Sequence, residues 1–185
     1  HMGVFLEFYD KEKYADRLTM VATNCITGKA EYLTADNVLK MFEYCQASSS
    51  MPLLSRIKMI DGTPFLDGSI SDSIPIKKSI EDGNEKHIVV LTRDKNYRKE
   101  ESTTSTKLMR LIYKKYPAIA ETHSKRHLNY NETLDFIEQL EDEGKIIVIR
   151  PSQPINVGHI ERDVEVLTNI YKMGFEDTLA KINSF

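Results

Sequence analysis

Residues 47–76 read ASSSMPLLSRIKMIDGTPFLDGSISDSIPI. Within this stretch Ile57 and Met59 alternate with Arg56 and Lys58, Asp61-Gly62 interrupts, and Phe65-Leu66 returns. Two-residue alternation broken by Asp-Gly predicts a β-hairpin, because those residues tolerate the positive φ angles of a tight turn. The return strand runs into Asp67-Gly68-Ser69-Ile70-Ser71-Asp72. Ile74-Pro75 then opens a helix from about Ile76 to Glu81, and Asp82-Gly83-Asn84 stops it.

Upstream, Thr19 to Thr23 reads as a short strand rich in β-formers. Asn24 to Gly28 turns the chain, and Ala30 to Leu33 returns as a second strand. Thr34 is expected to cap a helix from about Asp36 to Gln46, whose Val38, Met41 and Phe42 share one face. Downstream, His87 to Arg93 contains Ile88-Val89-Val90-Leu91, the pattern of a strand covered on both faces. Arg93 to Thr106 is polar and marks an organisational boundary.

Beyond that boundary the chain reads as mostly helical. Leu108, Leu111 and Ile112 share one helical face, and Tyr130, Leu134 and Ile137 share another on a helix that Gly144 terminates. Lys145 to Ile149 is one more strand, stopped by Pro151. Val164, Leu167, Ile170 and Tyr171 predict a final amphipathic helix, with a short one after Gly174. No internal repeat or low-complexity tract occurs.

The fold class expected from this order is α/β, part of a three-layer α/β/α sheet followed by a mostly helical segment. The expected division is 3–100 for the sheet-bearing part and 101–185 for the helical part. His1-Met2 reads as the remnant of a cleaved tag, with Gly3 compatible with it. The abrupt start at Val4 to Tyr9 suggests a segment taken from a longer chain.

Composition narrows the function classes. The 185 residues are 41% hydrophobic and 29% charged, ordinary for a soluble globular protein. The net charge of -3 builds no basic field, so a nucleic-acid partner is not expected. Apolar runs of four or five residues fall far short of the roughly 20 that a membrane-spanning helix needs. Cys25 and Cys45 form no disulfide framework and read as small buried thiols, so a reducing, cytoplasmic location is expected.

Asp67 is the candidate for chemistry in this stretch. It stands where a strand ends and a turn begins, and Gly68 beside it leaves room for a reacting group. A carboxylate on such an edge can take the proton of a serine hydroxyl held within hydrogen-bond reach. The alternative is a plain turn residue, since Asp-Gly is a common turn dipeptide.

The ordered features around Asp67 resemble the patatin-like phospholipases. They are an Ala-Ser-Ser segment ending in proline (Ala47 to Pro52), a short strand, the Asp-Gly hairpin, the Asp67-Gly68 block, an acidic residue and Ile74-Pro75. Val21 to Asn24 with Thr27-Gly28-Lys29 resembles a block upstream of the same motif. Tyr116-Pro117, Tyr130-Asn131, Glu138 to Gly144, Ile149 to Ser152, Glu161 to Asp163 and Gly174 to Asp177 resemble the tail of one bacterial branch. The resemblance implies that Asp67 is the aspartate of a Ser–Asp dyad, that Asp72 stabilises the turn, and that no metal or cofactor is used. It further implies a lipid or ester substrate and peripheral contact with a membrane. Ser69 departs from the family's glycine or alanine. There is no Gly-x-Ser-x-Gly, and the eight glycines are scattered singly. A nucleophile would therefore have to precede this region, and the chain alone is expected to be inactive.

Other candidates read as structural. Ser48-Ser49-Ser50 follows a helix and suits a loop and capping role. His123 and His127 have the i, i+4 spacing of zinc-binding pairs, but Lys125-Arg126 between them favours a solvated face. Asn131-Glu132-Thr133 fits a glycosylation sequon that a cytoplasmic protein would not use. Lys114-Lys115 and Lys125-Arg126 are too few to anchor a protein on a membrane. The function expected is therefore the aspartate-bearing part of a serine acyl hydrolase, or alternatively a non-catalytic interaction or oligomerisation module. Exposed sheet edges would in either case favour self-association.

Overall fold

A computed structural model describes residues 17–158 and 161–182. The expected tag remnant and the Val4–Tyr9 start lie outside the described residues. The chain is mixed α/β and divides into two compact units. Among the described residues the first comprises 17–75 and 100–130, the second 76–99, 131–158 and 161–182.

The first unit is built on a four-stranded antiparallel sheet of order β2-β1-β4-β3. Its strands are β1 (Thr19–Asn24), β2 (Ala30–Thr34), β3 (Lys58–Ile60) and β4 (Thr63–Asp67). The hairpin between β3 and β4 forms where the alternation predicts it. Asp61 and Gly62 have φ of 47° and 81°, both positive, as a type I′ turn requires.

Helix α1 (Val38–Ser48) packs on β1 and β4. Its cap is Asn37, whose side chain accepts the Lys40 N–H at 2.9 Å, and not Thr34. Thr34 is instead the last residue of β2, paired with Thr19. Neighbouring residues of a strand face opposite ways, so Phe65 and Leu66 serve different cores. Phe65 packs with Ala22, Ala47 and Ile60. Leu66 packs with Cys25, Ile70, Met109, Tyr113, Ile119 and Ala120.

Met109 lies on α3, labelled in chain order after α2 (Ile76–Glu81) and spanning Thr103–Ile112. The face of α3 that turns inward carries Thr106 and Met109; Leu108, Leu111 and Ile112, expected to share a face, are all exposed. Ile119 and Ala120 open the long helix α4 (Pro117–Asp142), which starts at a proline, where a missing N–H costs nothing.

The second unit holds β5 (His87–Val90) and β6 (Ile146–Ile149), paired in parallel. The described strands thus fall into two sheets. Val89 and Val148 are buried opposite each other, but Ile88 and Val90 are 65% and 68% exposed. The strand expected to be covered on both faces is therefore covered on one. Four aliphatic residues in a row cannot distinguish the two cases, since alternation assigns only every second one to the inner face.

Gly144 has φ 67° and ends α4 as expected, with Lys145 N–H donating to Leu140 O at 2.9 Å. Asn131 exchanges two hydrogen bonds with the backbone of Lys99, at 2.8 and 3.0 Å. The last helix, α5 (Val164–Ile182), runs unbroken through Gly174, where a separate short helix was expected. A single glycine costs a helix only about 1 kcal/mol.

Gly68 fixes the approach of β4's end to β1. A Cβ at this position would lie 2.2 Å from Val21 O and 2.6 Å from Val21 C, both rigid backbone atoms. Gly68→Ala is expected to cost about 1–3 kcal/mol in urea unfolding. Unchanged stability would contradict so close a contact.

Candidate functional site

Asp67 closes β4, paired with Ala22 across the sheet. Its backbone is held on every side. The N–H donates to Ser50 O at 2.9 Å, and the C=O accepts Thr23 Oγ1 at 2.7 Å. Thr23 Oγ1 also lies 2.8 Å from Ser71 Oγ. Thr23 has one hydroxyl proton, committed to Asp67 O, so Ser71 donates in that pair. Thr23 itself is fully buried.

The Asp67 side chain is half-buried, and its Oδ1 accepts the Ser69 N–H at 2.7 Å, capping the short 3-10 turn Gly68–Ile70. The turn role weighed for this residue is thus realised on one oxygen. Among the described residues Oδ2 makes no hydrogen bond. Asp72 has the turn-stabilising part expected of it: Oδ1 accepts Ile74 N–H at 3.3 Å, and Oδ2 accepts the Tyr32 hydroxyl at 2.7 Å.

Arg126 belongs to the same site. Its Nε donates to Ser69 O at 2.6 Å and its Nη2 to Ser69 Oγ at 3.0 Å. The sequence placed Lys125-Arg126 on a solvated face, and for Arg126 that is corrected. Thr122 and Arg126 stand one turn apart on α4; Thr122 Oγ1 donates to Gly28 O at 2.9 Å. His123, between them, meets Thr106 Oγ1 through Nδ1 at 2.9 Å. The i, i+4 spacing of Thr122 and Arg126, beside Ile119 and His123, was the available signal for this inward face.

The other nucleophile candidates are occupied structurally. Ser49 Oγ donates to Cys45 O and Ser50 Oγ to Gln46 O, at 2.8 and 2.6 Å, closing α1 as a loop and cap. Both cysteines are free thiols. Cys25 is buried with Leu66 and Met109, and burial pushes its thiol up to about 12. Burial also raises the half-exposed Cys45. No group of three His, Cys, Asp or Glu suited to a metal ion occurs among the described residues.

A concavity lies within the other unit, about 540 Å³ in volume and lined by Lys95, Glu141, Arg150, Asp177 and Lys181 among others. Its charges answer one another. Arg150 pairs with Glu141, Lys181 reaches Glu141 at 2.9 Å, and Asp177 accepts the Ser152 N–H at 2.9 Å. These contacts pin α5 and leave Asp67 as the better candidate for chemistry.

Residues 116–185 match the model of a family described as a domain of unknown function (DUF6363). That span takes in α4, β6 and α5. No curated protein matches the chain. The resemblance to the patatin-like phospholipases is corrected accordingly: no match to that family supports it, and the tail assigned to one of its branches falls in the domain of unknown function. Short Asp-Gly and Ser-rich blocks recur wherever chains turn, so their order around Asp67 carried less information than it suggested. No described helix is long and apolar enough to cross a membrane.

Two outcomes follow from these contacts. Arg126→Met is expected to lower stability by about 1–2 kcal/mol through loss of the Ser69 hydrogen bonds, read by urea unfolding. Cys25 is expected to resist iodoacetamide at pH 8 in the folded chain and to react on unfolding; rapid alkylation of the native protein would contradict its burial. With its folded pKa raised, Cys25 contributes stability in full below about pH 8.5, lost as pH climbs toward 12.

Proposed function

We propose that Asp67 supplies the general base of an ester-hydrolysing centre whose nucleophilic serine comes from outside these residues. The observation that carries this is the state of its carboxylate. The backbone is clamped by Ser50, Thr23 and the Gly68 contact, Oδ1 is tied to Ser69 N–H, and Oδ2 is open among the described residues. A half-exposed carboxylate in one fixed position, with one oxygen unengaged, suits proton transfer better than it suits a turn alone.

In such a centre Asp67 accepts the serine proton as Oγ attacks the ester carbonyl. The protonated carboxyl then returns that proton to the leaving alcohol. Water attacks the acyl-enzyme and gives a proton to Asp67, which passes it to serine Oγ as the acyl C–O bond breaks, so the carboxylic acid departs and the serine hydroxyl and Asp67 carboxylate are restored. Donors for the oxyanion must also come from elsewhere, since no glycine-rich run is present here. Ser69 and Arg126 position the turn and need not touch substrate. The substrate class proposed is a carboxylic ester.

Asp67→Asn isolates the role, because an amide oxygen still accepts the Ser69 N–H while the basic oxygen is lost. In the natural full-length protein it should lower p-nitrophenyl ester turnover by about 10²- to 10⁴-fold without changing the circular dichroism spectrum. Full activity in the variant, or no turnover of any ester by the wild type, would reduce Asp67 to a turn residue. The non-catalytic alternative, an interaction module, is favoured by a separate feature, the exposed apolar face of α5.

A further inference from the structure

Helix α5 has two apolar faces and uses one. Val166, Ile170 and Met173 are half-buried on the side that packs against β6, with Asp177 and Lys181 pinned as above. None of its residues is fully buried. On the other side stand Val164, Leu167, Tyr171, Phe175, Leu179 and Ile182, exposed by 75, 45, 72, 56, 44 and 57%. At 3.6 residues per turn these six fall within an arc of about 120°. Their steps along the helix are three, four, four, four and three residues, so they form one continuous apolar stripe rather than scattered surface residues.

The order of that stripe identifies its occupant. It is symmetric in sequence about Met173: Val164 answers Ile182, Leu167 answers Leu179, and Tyr171 answers Phe175. Two copies of α5 laid antiparallel about that point bring each residue level with its counterpart in apolar layers. The symmetry extends to charge. Lys172 and Glu176 are exposed, flank the stripe on one side, and make no ion pair among the described residues. In this register Lys172 of one copy and Glu176 of the other lie on the same side of the seam, about 3 Å apart along the axis. The pair occurs twice by the two-fold symmetry. Gly174, with nothing within 4 Å of a Cβ position, leaves space beside the aromatic layer.

We infer that α5 is a homodimerisation helix that pairs antiparallel with α5 of a second copy, centred on Met173. Contact of one surface patch with itself is the isologous arrangement of a two-fold dimer. A membrane surface is the poorer occupant. Helices that lie on anionic lipid carry Lys and Arg beside the apolar face, whereas Glu165 and Glu176 accompany Lys172 here.

The test is the mass of the full chain by light scattering and sedimentation across a concentration series. The wild type should be a dimer, and Tyr171→Glu should weaken it by about 30-fold or more with unchanged circular dichroism. Lys172→Glu alone should weaken it about two- to tenfold, and Lys172→Glu with Glu176→Lys should restore it. The exchange keeps the inference testable even if Tyr171→Glu misfolds, because both positions are solvent-facing. A wild type that stays monomeric at 100 µM (roughly 100-fold above the micromolar scale of weak interfaces) overturns it. So does a dimer indifferent to these substitutions, or α5-dependent binding to phosphatidylcholine–phosphatidylglycerol vesicles by a monomer.

Discussion

The contact of Gly68 with the backbone of Val21 is the constraint on which the first unit turns. It sets how closely the end of β4 approaches β1, and no side chain fits between them. That approach brings Thr23 within reach of both Asp67 O and Ser71 Oγ, so one buried hydroxyl joins the strand end to the turn. It also aligns Phe65 and Leu66 with the two apolar clusters on opposite sides of β4. Asp67 is thereby held by the same packing that makes the fold. Positioning through rigid elements is what allows a carboxylate to act at a defined point in space.

Arg126 extends the constraint to α4. Its guanidinium takes the carbonyl and hydroxyl of Ser69, while Thr122 and His123 tie the preceding turn to Gly28 and Thr106. A planar donor fork holds two acceptors at once, which a lysine ammonium at this position would do less well. The Asp67 turn is consequently fastened from the sheet by Thr23 and from the helix by Arg126.

Local chemistry was legible where one or two residues decide a conformation. Asp61-Gly62 announced the hairpin, Gly144 announced the end of α4, and Ile76–Glu81 formed as the flanking residues indicate. Features set by long-range packing were not legible. Thr34 and Asn37 are both acceptable caps, and pairing of Thr34 with Thr19 decides between them. The inward face of α3 depends on Met109 meeting Leu66, remote in sequence. The single-sided burial of β5 depends on which strand it pairs with, and β6 lies beyond two intervening helices. At the candidate site Asp67 was visible from its strand-end position, whereas Arg126 was hidden because an inward-reaching arginine and a solvated one look alike until the helix is docked. Family assignment from short turn blocks failed for a related reason: turn chemistry repeats across unrelated chains.

The most direct test of Asp67 as a base is labelling of the natural full-length protein with a fluorophosphonate, which reacts only with an activated serine. Peptide mass mapping should place the label on a serine outside these 185 residues, and Asp67→Asn should abolish labelling. Labelling of equal rate in the variant, or no labelled serine in the wild type, would contradict the account.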